Sequence, residues 1–468
     1  MHAEVETATL SDGPKTSFSP SFGLREGALS PLETLAQSIS TIAPSTTPTL
    51  TVPLVFALAG PGTAIVYLIA MGLMVLVGLC IASFARESAS PGSLYVYTRM
   101  SLPPVCSAIS AWALFFAYVC TASAVIGGFV SYVYVFLDPR HIHPSALLLA
   151  AVAAVGAGWV AYRDVKISAR LMLYIEAASV SLIAVVVALT LLHHGLRFDR
   201  SQFAIHSFSG RGIGLGVMLA IFSFVGFESA TTLGAEAREP LRTIPRAVIR
   251  SALLAGVFFV LCCYTETLGF AHSATTLDQS AAPFRTLSTL AGVSILGPII
   301  DAGVLVSMFA ATLACVIAAS RVLLLMAHHG LAHKRLTQTS AQNQTPGFAG
   351  VLAAALAFLP AAGLLLRNVS GADVYGWMGT LAVYGFLTAY GLVAVALAFH
   401  LRQQRRLTPA SILLTASAAF AMLLALASNF YPVPPAPLRY FPYIYFGYLA
   451  IALLWLFIAS RRSSVAAA

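Results

Sequence analysis

Long apolar segments follow one another along almost the whole chain, separated by short polar segments. Because a helix rises 1.5 Å per residue, about 20 apolar residues are enough to cross the hydrocarbon core of a bilayer. The pattern predicts twelve such segments, at residues 31–59, 62–85, 103–136, 145–162, 171–193, 212–236, 247–271, 294–327, 347–366, 374–399, 407–428 and 438–460. We therefore expect an all-α integral membrane protein with twelve transmembrane helices.

Composition and charge support this expectation and predict an orientation. Of the 468 residues, 59% are hydrophobic and 9% are charged, whereas a soluble domain carries about 25% charged residues. With twelve spans, 19 of the 26 Lys and Arg residues fall on the side of the N-terminus. Basic residues are enriched in cytoplasmic loops, so both termini are expected in the cytoplasm and the protein in the cytoplasmic (inner) membrane. This enrichment of basic residues beside the lipid bilayer explains the net charge of +9, so no nucleic acid partner is expected.

The first apolar segment contains helix-breaking residues in the run SISTIAPSTTPTLTVP, residues 38–53. Pro44 and Pro48 each remove a backbone donor and cost about 3 kcal/mol in a regular helix. We expect the helix to break at Ser45–Thr47 and to resume near Thr49, with free N–H groups that suit a carboxylate. The alternative is a continuous, proline-kinked helix whose hydroxyls bond back to the preceding turn.

The sixth segment contains a second irregularity, at Gly226 and Glu228. A glycine costs about 1 kcal/mol relative to alanine inside a helix, and a lone carboxylate at membrane depth costs about 2.5–3.5 kcal/mol. Interrupted membrane helices are tolerated where the freed backbone lines a cavity, as in transporter substrate sites. We expect such an interruption here; the alternative is a kinked helix with one buried, hydrogen-bonded Glu.

The two irregular segments are five spans apart, which is the relation expected between inverted repeats of five helices. The halves show no clear residue-level similarity, so the repeat rests on topology. The predicted parts are an N-terminal cytoplasmic tail (1–27), a ten-helix core (28–400) with repeats at 31–194 and 212–400, helices 11 and 12 (401–460), and a C-terminal cytoplasmic tail (461–468).

Other polar residues in or near the spans are assigned from their position. Glu176 lies six residues after Arg170, about 9 Å into the membrane at 1.5 Å per residue. There it is expected to bind and release a proton during transport; the alternative is that it reaches toward the interface or pairs with a basic loop residue. Glu266 and Asp301 lie nearer the span ends and are expected to be solvated or interfacial. Residues 86–100, RESASPGSLYVYTRM, predict an amphipathic helix on the membrane surface.

The chain carries no pattern of catalytic or metal-binding residues. The six cysteines fall in apolar runs without metal-ligand spacing, and there is no HExxH motif and no phosphate-binding loop. We therefore expect neither an enzyme, nor a cofactor, nor a metal site.

Four segments carry a resemblance to a known family: FSFVGFESATTLGAEAREPLRTIP (222–245), SPGSLYVYTR (90–99), KISARLMLYIE (166–176) and SRVLLLMAHHGL (320–331). In order and spacing they resemble the amino acid–polyamine–organocation permeases, over nearly the whole chain. The resemblance implies a LeuT-like fold of two inverted five-helix repeats. It also implies that helices 1 and 6 are broken and hold the substrate where they unwind.

The resemblance also implies roles for individual residues. Residues 46–48 occupy the place of a Gly-x-Gly that binds the substrate carboxylate in amino acid permeases, although the two glycines are absent here. Phe222 occupies the aromatic gate, and Glu228 occupies the acidic site of the sixth helix. A lysine found in helix 5 of proton-coupled relatives is replaced by Ser179, with Glu176 one turn earlier.

The expected function is secondary active transport of an amino acid across the cytoplasmic membrane by alternating access, coupled to protons. The alternatives are an amine or polyamine carrier, an amino acid exchanger and, from another class, a channel or receptor scaffold. The carboxylate is expected at the first interruption, the ammonium at the carbonyls of the sixth helix, and Phe222 above both. The predicted substrate-binding residues are Ala43, Ser45, Thr46, Thr47, Thr49, Leu50, Phe222, Phe224, Val225, Gly226 and Phe227, and the coupling candidates are Glu228, Glu176 and Ser179.

Overall fold

The computed structural model describes residues 22–163, 165–195, 198–203, 210–271, 273–340, 342–431 and 433–465. Within the predicted tails, residues 1–21 and 466–468 lie outside this part of the chain. The described residues form fifteen α-helices: α1 (Pro31–Ile42), α2 (Val52–Ala59), α3 (Thr63–Ala85), α4 (Leu94–Arg99), α5 (Pro104–Leu137), α6 (Ala146–Arg163), α7 (Val165–His193), α8 (Gly210–Phe224), α9 (Pro240–Phe270), α10 (Pro283–Leu290), α11 (Leu296–His328), α12 (Gly347–Leu365), α13 (Gly371–Gln403), α14 (Pro409–Ala427) and α15 (Phe441–Val465).

Ten helical stretches of the described chain are long and apolar enough to cross a membrane. One of them is the 55-residue stretch Pro31–Ala85, which contains α1, α2 and α3, and the apolar part of α8 is shorter than a span. The all-helical membrane architecture agrees with the sequence, while the number of twelve spans stays a prediction. Helix α15 continues to Val465, five residues beyond the predicted end of the last span at residue 460.

The start of α1 is set by local hydrogen bonds. The Ser30 side chain accepts a bond from the Glu33 N–H at 3.4 Å, and the Glu33 carboxylate accepts one from the Ser30 N–H at 2.7 Å. This reciprocal cap satisfies donors that a helix end leaves free, and Pro31 occupies the first helical position, where no donor is needed.

The first membrane helix is interrupted between α1 and α2. Helix α1 ends at Ile42, and Ala43 adopts the left-handed conformation with φ 48°. One π-helical turn, Thr47–Thr51, then leads into α2. The prolines at 44 and 48 cannot donate to a regular helical ladder, so the break falls between them. A continuous, kinked helix is thereby excluded.

A second interruption follows α8. The helix ends at Phe224, the chain turns through residues 225–228, and a 3₁₀ segment Ser229–Leu233 precedes α9. Gly226 has φ +94°, a conformation that side-chain-bearing residues rarely adopt. Glycine at this position therefore permits the turn.

Both interruptions lie inside the helical bundle. Helix α5 packs against α11 and α13, and α3 packs against α9. Helix α1 contacts α7, α9, α11 and the Ser229–Leu233 segment. The surrounding helices thus shield the unwound backbone from lipid, as an interrupted membrane helix requires.

A buried ion pair closes the end of the bundle where α1 begins. The Arg321 guanidinium donates to both carboxylate oxygens of Glu236, at 2.6 and 2.7 Å, and both side chains are buried. The backbone of Leu29 bonds to Glu236 and to Arg238 at 2.8 Å in each case. The chain before α1 is therefore tied to the segment after the second interruption.

Two sequence expectations are wrong. Helix α4 is no surface helix, because Leu94, Tyr95 and Tyr97 are each at most 1% exposed. Glu266 and Asp301 are neither solvated nor interfacial, because both are fully buried. The sequence pattern near the end of a span did not show whether a residue lies at the membrane surface or packs between helices.

The Glu236–Arg321 pair provides a test of the fold. We expect Glu236→Gln and Arg321→Met each to lower the free energy of unfolding by about 3–5 kcal/mol, because each leaves a buried polar group unpaired. The double variant Glu236→Leu/Arg321→Met should cost less than the sum of the single variants.

Denaturant-induced unfolding in detergent micelles measures these changes. The matched control is Arg242→Met, which removes a largely exposed ion pair with Glu239, and it should stay within about 0.5 kcal/mol of the wild type. Equal effects of Arg321→Met and Arg242→Met would contradict the closing role of the buried pair.

Candidate functional site

The two helix interruptions contact each other directly. The Ser38 hydroxyl donates to the Phe227 carbonyl at 2.8 Å and accepts from the Ala230 N–H at 3.1 Å. The hydroxyls of Thr41 and Ser229 are 2.9 Å apart. These bonds replace some of the helical bonds that the second interruption lacks, so α1 holds the unwound chain in place.

Gly226 lies against α1 without room for a side chain. A Cβ atom at this position would be 2.2 Å from Cγ2 of Thr41 and 2.6 Å from its Cβ. Both the backbone conformation and the close approach therefore require glycine.

The first interruption already holds a carboxylate. The Ser45 N–H donates to Oε1 of Glu176 on α7 at 2.7 Å. The hydroxyls of Ser45 and of Ser307 on α11 face the same carboxylate. The Thr46 hydroxyl is buried without a hydrogen-bond partner, and the buried hydroxyls of Ser45 and Ser307 have no partner other than this carboxylate. A buried polar group without a partner is costly, so this cluster is suited to a polar ligand.

The remaining predicted residues of the first interruption shape its backbone and its apolar wall. The Thr49 hydroxyl donates to the Ser45 and Thr46 carbonyls at 3.1 and 2.9 Å. Thr47 begins the π-helical turn, and Ala43 ends α1. Leu50 packs against Gly128 of α5, where a Cβ would lie 3.0 Å from the Leu50 side chain.

The same position on α5 brings further side chains to the site. A Cβ at Gly128 would lie 3.0 Å from Tyr375 of α13 and 3.5 Å from Met308 of α11. The Tyr375 hydroxyl is 2.7 Å from that of Thr51. The side chains of Leu50, Met308 and Tyr375 thus form an apolar surface near the hydroxyls of the first interruption.

The predicted residues of the sixth helix divide into two groups. The Phe222 ring lies 5.3 Å from the Tyr375 ring and directly against Gly379, so it borders the site. The Phe224 ring packs on Phe259 of α9 at 5.3 Å. The Phe227 ring packs on Tyr390 of α13 at 5.6 Å.

The carbonyls of the second interruption are partly occupied. Those of Phe224 and Gly226 accept the N–H groups of Phe227 and Ser229 at 3.1 and 2.9 Å. The Val225 carbonyl accepts none of the backbone hydrogen bonds of this interruption. Val225 therefore provides the carbonyl that is best placed to accept a further donor.

Glu228 is held by two tyrosines. Its Oε1 accepts the Tyr118 hydroxyl of α5 at 2.8 Å, and its Oε2 accepts the Tyr390 hydroxyl of α13 at 2.7 Å. All three residues are fully buried. The carboxylate thus links the second interruption to two surrounding helices.

Ser179 is used in helix packing. Its hydroxyl donates to the Ile175 carbonyl within α7 at 3.0 Å. The same oxygen would lie 2.2 Å from a Cβ at Gly303, so α7 and α11 approach closely here.

A cavity of about 280 Å³ leads toward the site from the end of the bundle opposite the Glu236–Arg321 pair. It is lined by residues of α2, α8 and α13, among them Leu54, Met218 and Gly376. Met218 lies one helical turn before Phe222, and Gly376 one turn before Gly379, so the Phe222 ring lies about one helical turn from the lining of this cavity.

The sequence did not identify several residues that complete the site. They are Thr41, Tyr118, Ser307, Tyr375 and Tyr390. The tyrosines could have been found from the sequence. Tyrosine is usual at membrane interfaces, so a tyrosine in the interior of a span is uncommon and needs a partner for its hydroxyl. Thr41 and Ser307 lie in ordinary helical sequence, so no local pattern distinguishes them.

The fold and site define a multi-pass helical membrane protein with two interrupted helices facing one another around a buried polar cluster. The family model described as "Amino acid permease" matches residues 35–460, and the chain belongs to this family. The resemblance to the amino acid–polyamine–organocation superfamily is thereby confirmed. The protein is a transporter and not an enzyme, because its family and relatives are permeases.

Individual relatives are distant but match most of the chain. The branched-chain amino acid permease BcaP of Bacillus subtilis is 26% identical over 363 residues, which cover 72% of this chain and 73% of that protein. BcaP of Lactococcus lactis is 26% identical over 381 residues, covering 76% and 81%. The structure of MhsT in complex with L-phenylalanine matches with a TM-score of 0.59 at 14% identity, over 87% of this chain and 100% of that chain. That likeness shows a shared LeuT-like fold.

The contact at Gly226 predicts a specific sensitivity to substitution. We expect Gly226→Ala to lower the free energy of unfolding by about 2–5 kcal/mol, because it combines left-handed backbone strain with overpacking against Thr41. Thermal and denaturant unfolding of the purified protein in detergent measures the change.

Gly60→Ala is the matched control, because Gly60 also has a positive φ (+57°) but open space around the position of a Cβ. It should cost only the strain, about 1–2 kcal/mol. If the two variants are equally stable, the close contact between the interruptions is not a constraint on the fold.

Proposed function

We propose that this protein carries amino acids with apolar side chains across the cytoplasmic membrane by alternating access, driven by protons. Family membership supports an amino acid as the substrate. The observation that carries the proposal is the cluster of buried hydroxyls of Ser45, Thr46 and Ser307, of which that of Thr46 is unpartnered, beside an N–H that binds a carboxylate. The names of the BcaP relatives add support for a branched apolar side chain.

In this proposal the substrate carboxylate binds at the first interruption. The Ser45 N–H and the hydroxyls of Ser45, Thr46 and Ser307 converge there. The N-terminal end of the Thr47–Thr51 turn adds a positive dipole, with the backbone of Thr49 and Leu50 in that turn. Glu176 occupies the Ser45 N–H, so an arriving substrate carboxylate competes with Glu176 for the same donor.

The rest of the substrate lies toward the second interruption. The Val225 carbonyl, with the neighbouring carbonyl of Gly226, accepts the substrate ammonium. Leu50, Met308 and Tyr375 surround the apolar side chain, and Phe222 separates it from the 280 Å³ cavity. Glu228 holds the second interruption through its two tyrosines, and Ser179 packs α7 on α11.

The transport cycle and topology extend the same proposal. The cavity that ends at Phe222 is the external entrance, and the Glu236–Arg321 end is the cytoplasmic closure. The excess of Lys and Arg on the side of the N-terminus supports this orientation. Two inverted repeats of five helices, followed by two further helices, give twelve spans. Opening the two ends in turn, around a fixed site, is the alternating access expected of such repeats.

Counterflow and uptake in proteoliposomes test this function. The purified protein should exchange labelled leucine, isoleucine and valine, and an inward proton gradient should drive their accumulation. Thr46→Val should raise KM about tenfold or more, because a hydrogen bond to a charged group contributes about 1.5–3 kcal/mol. The matched control is Thr190→Val on α7, a buried threonine that bonds only to its own helix at the Val186 carbonyl.

Each alternative gives a different result in this assay. Uptake of a diamine such as putrescine in place of leucine would indicate an amine carrier. Uptake that needs internal substrate whatever the gradient would indicate an exchanger. Currents that do not saturate would indicate a channel, and binding without counterflow would indicate a receptor. An unchanged KM in Thr46→Val would remove the first interruption as the carboxylate site.

A further inference from the structure

Buried carboxylates differ in how their charge is compensated. Six carboxylates are buried in the part of the chain that the structure describes: Glu33, Glu176, Glu228, Glu236, Glu266 and Asp301. Five of them accept hydrogen bonds, from the Ser30 and Ser45 N–H groups, the Tyr118 and Tyr390 hydroxyls, and the guanidinium groups of Arg321 and Arg285. The sixth is Glu266, and neither of its oxygens has a hydrogen-bond partner.

An ionised Glu266 would be strongly unfavourable in this position. The residue is fully buried four residues before the end of α9, and a buried charge without a partner costs several kcal/mol. A bound proton removes that charge. The enclosed surroundings of Glu266 therefore favour its neutral, protonated form. Each of the other five carboxylates has hydrogen-bond donors that stabilise its charged form.

The groups that face Glu266 are neutral and partly unsatisfied. They are Tyr67 from α3, Tyr132 from α5, and the thiols of Cys262 and Cys263 from α9 itself. The Tyr67 hydroxyl is 3.0 Å from that of Ser223, whereas the buried Tyr132 hydroxyl lies next to the Thr49 hydroxyl of the first interruption. Because these groups are neutral and none of them donates a hydrogen bond to Glu266, none stabilises a charge on its carboxylate.

Tyr132 extends this cluster toward water. It also faces Asp301 and Arg285. Asp301 accepts the Arg285 guanidinium at 2.7 and 2.8 Å through Oδ2, while its Oδ1 has no partner. The Arg285 side chain is 33% exposed. The Asp301–Arg285 pair is thus the charged part of this cluster that reaches the edge of the bundle.

The cluster also adjoins the substrate site. Helix α9 contacts the Thr47–Thr51 turn of the first interruption. Tyr132 lies one helical turn after Gly128, which packs against Leu50 of that turn. A movement of the turn during substrate binding would therefore change the surroundings of Glu266.

We infer that Glu266 binds the transported proton, with Tyr132 and the Asp301–Arg285 pair forming its access route from the external side. This inference rests on the proposed function and identifies the residue that couples it to protons. A proton adds to a carboxylate oxygen of Glu266 from the external side and leaves as the cytoplasmic end opens, so no other bond changes.

Proteoliposomes with a pH-sensitive dye trapped inside test the inference. We expect Glu266→Gln to retain leucine counterflow, because glutamine resembles the neutral carboxyl group in shape. It should not accumulate leucine in a proton gradient and should not carry protons with it. For the wild type, a gradient of about one pH unit should support about tenfold accumulation with one proton per substrate. Glu266→Asp, which keeps a carboxyl group, should restore part of the coupling.

Glu228→Gln is the comparison at another buried carboxylate. Its rate and stability should fall because it disturbs the two tyrosine bonds, but its ratio of protons to leucine should match that of the wild type. Substrate binding followed by thermal shift in detergent shows whether Glu266→Gln is folded.

The outcomes separate this inference from the proposed function. Wild-type protein without leucine counterflow would overturn the proposed function itself. Wild-type proton-driven uptake that persists in Glu266→Gln would overturn only the role of Glu266. Accumulation driven by a sodium gradient instead of a proton gradient would also overturn it, because the transported ion would not be a proton.

Discussion

The contact between the two interrupted helices is the constraint on which the rest of the structure depends. Gly226 approaches Thr41 so closely that a Cβ would lie 2.2 Å away, and Ser38 bonds to both sides of the turn. Unwound backbone inside a membrane must find partners within the protein. Each interruption supplies partners to the other, so neither can be understood as an isolated defect. The same arrangement leaves a few polar groups free, and those define the site.

The second constraint on the structure is that each buried carboxylate needs hydrogen-bond donors or a counter-charge. Glu228 is held by two tyrosine hydroxyls, Glu236 by a guanidinium, and Glu176 by the Ser45 N–H with two serine hydroxyls facing it. The three glutamates have the same side chain but lie in three different environments. The tyrosine-bound and arginine-bound carboxylates join helices, whereas Glu176 takes the Ser45 N–H at the first interruption. An uncompensated carboxylate such as Glu266 is then the exception that requires a ligand.

The sequence predicted the fold better than it predicted the contacts. Pro44 and Pro48 located the first interruption, since proline cannot continue a helical ladder, and Gly226 located the second. The roles of Phe224 and Glu266 depend on which helix faces them, and the packing of neighbouring helices is not encoded in one segment. Phe224 therefore turned out to face α9, and Glu266 proved buried although it lies near a span end. Distance from a span end measures depth only, and depth does not determine burial between helices.

The central claim is that a substrate occupies the space between the two interruptions, and protection of an introduced cysteine tests it most directly. A single cysteine at Thr46 should react with a small thiol reagent in membranes, and saturating leucine should slow that reaction. A cysteine at the exposed Arg367, between α12 and α13, should react at the same rate with or without leucine. Equal rates at Thr46→Cys in a protein that still performs leucine counterflow would contradict this location of the site.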